Sequence, residues 1–456
     1  MKKRCLALLL ALILCLNLTE PAVYAQEPSA ADGPSAQTVT DEKSDDPSSA
    51  SQELATSPYT SAGLTDSAIL CELPALREAS AKHFALADGR RASVLYGITV
   101  HEQTASGEWL PINNELKYDA EGPDGASFCA EGELLRVAFY EEPKDGKLLS
   151  LELKGTEGKI SWGPELSAED GETPAQECAV SYIPQEPWKD HSFLDIQALS
   201  GVLCYENLLP DVSLEYQLQG HDVKENLLIA SRAAAEALAA KGFSFLLTLE
   251  GGLTAAYDKE PRSVLIRDSA GEVLYSLQAP YMEDDKGEVS GELACELAEL
   301  STSAAPEGTD AVSYRFTLSP DAEWLLAEER AFPVLIDPSL RNTLNNSSID
   351  TATVYSSGPN GNYMYAYGDI YAGYQNANYK KLRCAAKLTL PALTESDTVV
   401  SAVLELTQSG YSSWDYSYPV TINAHRITSE LSFPNMTWNT LNGNYEDRVL
   451  DSQSMD

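Results

Sequence analysis

The sequence predicts an all-β protein: β-sandwich domains with one short helix, followed by a C-terminal jelly roll. Three observations predict it. Leu149, Leu151 and Leu153 alternate with Ser150, Glu152 and Lys154, and Val212, Leu214, Tyr216 and Leu218 alternate with Ser213, Glu215 and Gln217, the two-residue period of half-buried strands. From Asp350 to Asn439, short strand-like runs are separated by Gly, Asn and Pro. Ala233 to Lys241 alone reads as a clear helix, rich in Ala and Leu and closed by Gly242 as its C-cap, and it suits a crossover between strands.

Taken in order, the chain opens with Lys2, Lys3 and Arg4, an apolar run from Leu6 to Leu18 too short to cross a bilayer comfortably, and a small-residue cleavage site at Val23-Tyr24-Ala25. Residues 1–25 therefore read as a secretory signal peptide, with Gln26 the first mature residue. Leu14 is too bulky before Cys15 for lipid attachment, and no other segment has the length and apolarity of a membrane helix, so no membrane partner is expected after cleavage. Residues 26–66 are Ser, Ala, Pro, Asp, Glu and Thr with almost no large apolar side chains; they cannot offset the entropy of ordering and read as a disordered linker.

The chain carries 31 basic and 69 acidic residues, a net charge of −38. A polyanion of that size repels phosphate backbones and anionic lipid, so nucleic acid is not expected as a partner. Its carboxylates leave room for Ca²⁺ outside the cell. Cleavage at Ala25 would leave Cys71, Cys129, Cys178, Cys204, Cys295 and Cys384, too widely spaced for a zinc site. Three disulfides and buried free thiols both remain open for them, and neither points to catalysis.

Residues 67–340 are β-rich. Val264 to Tyr275 reads as two short strands around a turn. So long a run of short strands exceeds one ordinary sandwich, and two subdomains are expected, meeting near the polar stretch from Ser167 to Glu177. Residues 345–456 are expected to form the jelly roll. Val400, Ala402, Leu404 and Leu406 make one of its strands and Val420, Ile422 and Ala424 another. After Trp438 only Tyr445 and Val449-Leu450 remain to supply core, so the jelly roll reads as incomplete, with an unpaired sheet edge, as in a truncated product or a fragment.

Two sets of motifs resemble known families. Asp350-Thr-Ala-Thr-Val-Tyr-Ser-Ser-Gly-Pro-Asn-Gly-Asn-Tyr363, Gly368-Asp-Ile-Tyr-Ala-Gly373, Arg383-Cys-Ala-Ala-Lys-Leu-Thr-Leu-Pro391 and Thr437-Trp438-Asn439 resemble the DNRLRE-type jelly roll, grouped with carbohydrate-binding modules of family 96. Lys82-His-Phe-Ala-Leu-Ala-Asp-Gly89, Glu108 to Leu116, Tyr205 to Tyr216 with Lys224-Glu225 behind it, and Phe332-Pro-Val-Leu-Ile-Asp-Pro338 occur in the order found at the start of wall-associated RHS-repeat proteins of Gram-positive bacteria. The resemblances imply a secreted cell-surface or cell-wall protein whose C-terminal domain binds and breaks no bonds.

Catalytic motifs are missing from the sequence: there is no Gly-x-Ser-x-Gly, no His-Glu-x-x-His and no phosphate-cradling glycine loop. The histidines, His83, His101, His191, His221 and His425, are far apart and read as structural. The expectation is therefore a protein that is not an enzyme and takes polysaccharide or cell-wall glycan as its partner. Sugars stack their C–H faces on exposed rings, and the clustered aromatics point to Tyr371, Tyr374, Trp414 and Tyr416 as ligand-binding residues. Asp350, Asn360 and Asp369 are the candidates for a structural Ca²⁺. Trp438 is expected in the core. The alternatives are the non-catalytic front end of a polysaccharide-degrading enzyme and a protein-binding adhesion module.

Overall fold

The computed structural model describes residues 11–17 and most of 67–455; the linker read at 26–66 lies outside the description, and within 67–455 so do the longer stretches 167–177, 186–196, 301–310, 343–348, 361–371, 375–380 and 406–419. The N-terminal strands are β1 (Ala11–Asn17), β2 (Ile69–Glu72), β3 (Ala81–Leu86) and β4 (Arg91–Tyr96), followed by the hairpin β5 (His101–Gln103) and β6 (Trp109–Pro111). A meander comes next: β7 (Lys117–Tyr118), β8 (Phe128–Glu131), β9 (Leu135–Lys144), β10 (Lys147–Leu153) and β11 (Lys159–Pro164). A second meander contains β12 (Ala179–Ile183), β13 (Val202–Leu209), β14 (Val212–Gln219) and β15 (Asp222–Ile229).

From β15, helix α1 (Arg232–Lys241) carries the chain to β16 (Phe243–Glu250), which lies beside β11. Strands β17 (Thr254–Asp258), β18 (Ser263–Arg267), β19 (Val273–Leu277), β20 (Tyr281–Glu283) and β21 (Val289–Ser290) return to the sheet of the second meander. β22 (Leu293–Leu300) and β23 (Val312–Pro320) extend the first sheet; α2 (Ala322–Leu325), β24 (Val334–Asp337) and β25 (Leu340–Asn342) lead back to the second. The C-terminal region holds β26 (Ile349–Tyr355), β27 (Gly373–Tyr374), β28 (Lys381–Leu388), β29 (Thr398–Glu405), β30 (Val420–Ile427), α3 (Trp438–Leu441) and β31 (Tyr445–Met455).

Two large sheets result. The first runs β22-β23-β16-β11-β10-β9-β8-β7, and the second runs β12-β13-β14-β15-β25-β19-β18-β17, with β24 and β20 attached through β15. They bury one continuous core that draws Phe139, Trp162, Phe245 and Phe316 from the first sheet and Leu203, Tyr205, Tyr216 and Ile266 from the second. Trp162 stacks on Phe245 with ring centroids 4.5 Å apart. Phe139 meets Tyr216 across the sheets at 5.4 Å, and the Tyr205 hydroxyl crosses to donate to the Tyr140 carbonyl at 2.7 Å. The fold is therefore the all-β sandwich that alternation predicts. Its core takes residues from both sides of the 167–177 stretch.

Local sequence explains the elements that position this core. In β14 every second residue from Val212 is buried, so one face is core and the other is wetter. The turn to β15 needs Gly220: its φ is +64°, and a Cβ there would meet the Thr99 carbonyl oxygen at 2.6 Å. The Val264–Tyr275 region forms the β18–β19 hairpin, whose turn is held by Asp268 accepting from the N–H groups of Ala270 and Glu272. Helix α1 starts one residue before the predicted Ala233; Ser231 caps it by accepting from Ala234 N, and Gly242 closes it at φ +73°. Among the described residues there are also two one-turn α-helices, α2 and α3, and a 3-10 turn at Pro74–Leu76, all too short to show a helical period. Asp321 caps α2, and Thr437 with Thr440 makes a capping box on α3.

Outside the sandwich, a smaller sheet has the order β2-β3-β4-β1-β29, joining the start of the chain to its C-terminal region. Beyond it, β26, β28 and β27 form a three-stranded sheet and β30 and β31 a two-stranded ribbon. Ala352, Val354, Ala385, Phe433, Met436 and Leu441 form a separate small core there. Val399, Val400, Val449 and Leu450 are exposed on β29 and β31. Cys71, Cys129, Cys178, Cys204, Cys295 and Cys384 are free thiols, which resolves the alternative left by their number.

Candidate functional site

The sequence-predicted site residues fall mostly outside the description. Tyr371, Trp414, Tyr416 and Asp369 lie in undescribed stretches, and Tyr374 sits on β27 opposite Lys381. Asp350 lies near the start of β26, opposite Lys387. Asn360 lies past the end of that strand on an exposed turn, where its Oδ1 accepts from Asn439 Nδ2 at 2.7 Å. Among the described residues no group of three or more His, Cys, Asp and Glu side chains is placed to hold a metal ion. Trp438 opens α3 half-buried against the small core, with the Arg383 guanidinium 4.4 Å over its ring.

Ionisable side chains converge instead at buried points that sequence spacing did not reveal. The first lies where the N-terminal sheet meets the β5–β6 hairpin. His83, on β3, and His101, on β5, are read from sequence as remote, yet His101 is close enough to lower the proton affinity of His83. His83 Nδ1 lies 2.8 Å from Ser93 Oγ, across the β3–β4 pair, and its Nε2 is 3.6 Å from Glu78 Oε1. His101 Nδ1 donates to the Glu78 carbonyl at 2.7 Å, which leaves Nε2 as the bare nitrogen of the neutral ring, 3.9 Å from Glu72 Oε1. Arg77 grips that Glu72 carboxylate with two nitrogens, at 2.7 and 3.2 Å.

Burial pushes both imidazoles down to about 4, aided by the positive charge of Arg91 at His83 and opposed at His101 by the bond to Glu78. Burial works to raise Glu72, but the Arg77 hydrogen bond and charge outweigh it and hold the carboxyl below its ordinary value. At neutral pH the arrangement is thus two neutral rings beside carboxylates and an arginine. Such rings can accept protons, but at 3% and 0% exposure neither is open to a large substrate in this arrangement.

The second point is in the sandwich core. Glu225, on β15, lies fully buried between the sheets, where Trp162 Nε1 donates to its Oε2 at 2.5 Å and the Tyr216 side chain adjoins it. Desolvation raises this carboxyl to about 8, against the lowering effect of Trp162 and Tyr216, so it is a neutral acid at pH 7. The sequence placed Lys224-Glu225 in a motif but gave no sign that the acid faces inward; 63 residues separate it from Trp162.

Two further junctions are built from charge. Glu102, buried on β5, accepts from the N–H groups of Glu133 and Leu134 at 2.7 and 3.1 Å and lies 3.5 Å from His221 Nε2, tying the N-terminal hairpin to turns of both large sheets. Burial raises the Glu102 carboxyl, and these donors more than reverse the effect. Arg330 donates to Asp284 at 2.8 Å, Glu288 at 3.0 Å and the Trp324 carbonyl at 3.0 Å, with its guanidinium 3.5 Å over the Trp324 ring.

Comparison with known proteins adds what geometry does not. The chain is 24% identical over 303 residues to the tRNA(Glu)-specific nuclease WapA of Bacillus subtilis subsp. natto, which is 64% of this chain and 11% of that protein. It is 24% identical over 304 residues to the tRNA nuclease WapA of Bacillus subtilis strain 168, with the same shares of both chains. A tRNA3(Ser)-specific nuclease WapA of Bacillus spizizenii matches to the same extent. The chain thus spans about a tenth of the length of the curated relatives it matches. No family model and no solved structure matches it.

These relatives correct two expectations. A chain similar over most of its length to proteins named as tRNA nucleases cannot be set aside as no enzyme, nor as a protein with polysaccharide in place of nucleic acid as its partner. The charge argument alone cannot exclude such a partner. Net charge sums the whole surface, whereas contact with RNA needs a local cationic field that a few side chains can supply.

Proposed function

We propose that the chain is a region of a secreted, cell-surface tRNA nuclease, in which the β-sandwich is the framework that carries and presents the RNA-cleaving machinery. The similarity to tRNA nucleases over 64% of the chain carries this reading. Its small share of those proteins, 11%, fits a region that works within a longer polypeptide. The leader-like residues 1–25 and the ordered RHS-type motifs support secretion and a surface location. These motifs occupy structural joints: Tyr205–Tyr216 is the β13–β14 hairpin, and Phe332–Pro338 spans β24. In the same reading the region from β26 onward is a DNRLRE-type jelly roll, supported by its two small sheets around a separate core.

The reading is tested by fractionating the source cells with an antibody to the sandwich, sequencing the N-terminus of the recovered product and probing it for bound tRNA. A surface or culture product starting at Gln26 that carries tRNA is expected. A cytoplasmic product retaining Met1, or one free of tRNA, overturns it.

A further inference from the structure

In the N-terminal sheet, β4 and β29 do not pair with each other. β1 lies between them and pairs antiparallel with both, Ala11 to Asn17 against β29 and Ala11 to Leu16 against β4. Ile13, at the centre, is opposite Val403 on one side and Val94 on the other. One contact that does not involve β1 spans the two walls, and a second anchors the C-terminal region on the β3–β4 side. Arg91, which opens β4, reaches Asp397, the residue before β29, at 3.9 Å. Leu388, which ends β28, packs on Ala81 and Leu95 of β3 and β4. The β4 wall is buried and mostly apolar, with Ala92, Val94, Leu95 and Tyr96 around the polar Ser93.

Signal cleavage, which belongs to the function proposed above, removes β1. Two backbone edges are then left facing each other across roughly 9–10 Å, two inter-strand spacings, each with N–H and C=O groups that have lost their ladder partners. We infer that this gap is a strand-acceptor site: it takes a free, extended, uncharged and Leu/Ile-rich peptide segment, and the leader's own Ala-Leu-Ile-Leu-Cys-Leu-Asn is its first occupant. The two-sided pairing decides the kind of partner. An edge strand of a second folded copy has one side already engaged and can satisfy one wall, whereas an unfolded segment offers both of its sides.

The test uses residues 26–456, the chain expected after cleavage, with a synthetic peptide of residues 11–17 made soluble by a C-terminal lysine tail. Titration calorimetry should show saturable one-to-one binding, and hydrogen exchange should slow in both 91–96 and 398–405. A peptide with Ile13→Pro, which cannot donate at the centre of the ladder, should bind at least about tenfold more weakly. The full chain should take up no peptide, whereas the full chain carrying Ile13→Pro should do so, which covers the case that residues 26–456 fold poorly without β1. No binding to either opened form, protection of one wall alone, or equal binding of the proline peptide overturns the inference. Retention of residues 1–25 on the native product would instead refute the leader cleavage on which the inference rests, leaving the acceptor itself to be decided by the two opened forms.

Discussion

Replacing Glu225 by Gln should stabilise the protein, and the gain should depend on pH. The carboxyl is held at about 8 in the folded core, against an ordinary 4.5. The sign follows from proton binding: between those values the folded chain keeps a proton that the unfolded chain releases. The stabilising effect of protonation is therefore complete below 4.5 and is lost as pH rises toward 8. The loss is about 1.4 kcal/mol per pH unit and reaches a ceiling of about 5 kcal/mol, an upper figure because a buried site relaxes. Gln keeps the shape and the acceptor for Trp162 but has no proton to lose. Urea unfolding of both proteins at pH 5, 7 and 8.5 should show the Glu225→Gln variant close to the parent at pH 5 and progressively more stable above it. Parallel stability profiles would refute the reasoning, since they would mean that Glu225 ionises in the folded core as freely as in water.

Three more outcomes are expected. His101 is buried neutral and held at about 4 against an ordinary 6.5, so the unfolded chain binds the extra proton and stability is lost as pH falls from 6.5 toward 4. His101→Gln should flatten that stretch of the acid profile, by about 3 kcal/mol at the most, when urea midpoints at pH 7 and 4.5 are compared. Arg330→Ala strands the fully buried Asp284 carboxylate and should cost about 3–5 kcal/mol, read as a fall in the thermal midpoint; Arg330→Lys should rescue little, because it cannot reproduce both the forked bonds and the stacking on Trp324. Ser231→Ala removes the oxygen that caps α1 and should cost about 1 kcal/mol, checked by urea unfolding.

What the sequence revealed was local. The alternation from Val212 to Leu218, the Asp268–Gly271 turn and the Gly242 stop signal each depend on residues within a few positions, and each lies where that reading put it. What it hid depends on long-range pairing. β16 lies between β11 and β23, some 80 and 70 positions away in the chain, and it is this arrangement that stacks Trp162 on Phe245. His83 and His101 approach because the chain folds back through β4, and no spacing rule encodes that. The aromatic cluster around Trp414 and Tyr416 has a sequence reading but lies outside the described residues, so composition remains its warrant. The charge-based exclusion of nucleic acid failed for another reason, since a whole-chain sum was applied to a question about one local surface.

The central claim is that this chain belongs to a protein that cleaves tRNA, and the most direct measurement is cleavage itself. The native gene product, captured from culture with an antibody to the sandwich, would be incubated with total tRNA and the new RNA ends sequenced. The account predicts cuts confined to one tRNA or a small set, absent from a mock capture. Intact tRNA after incubation with the complete captured product, or cuts scattered equally over unrelated RNAs, would contradict it.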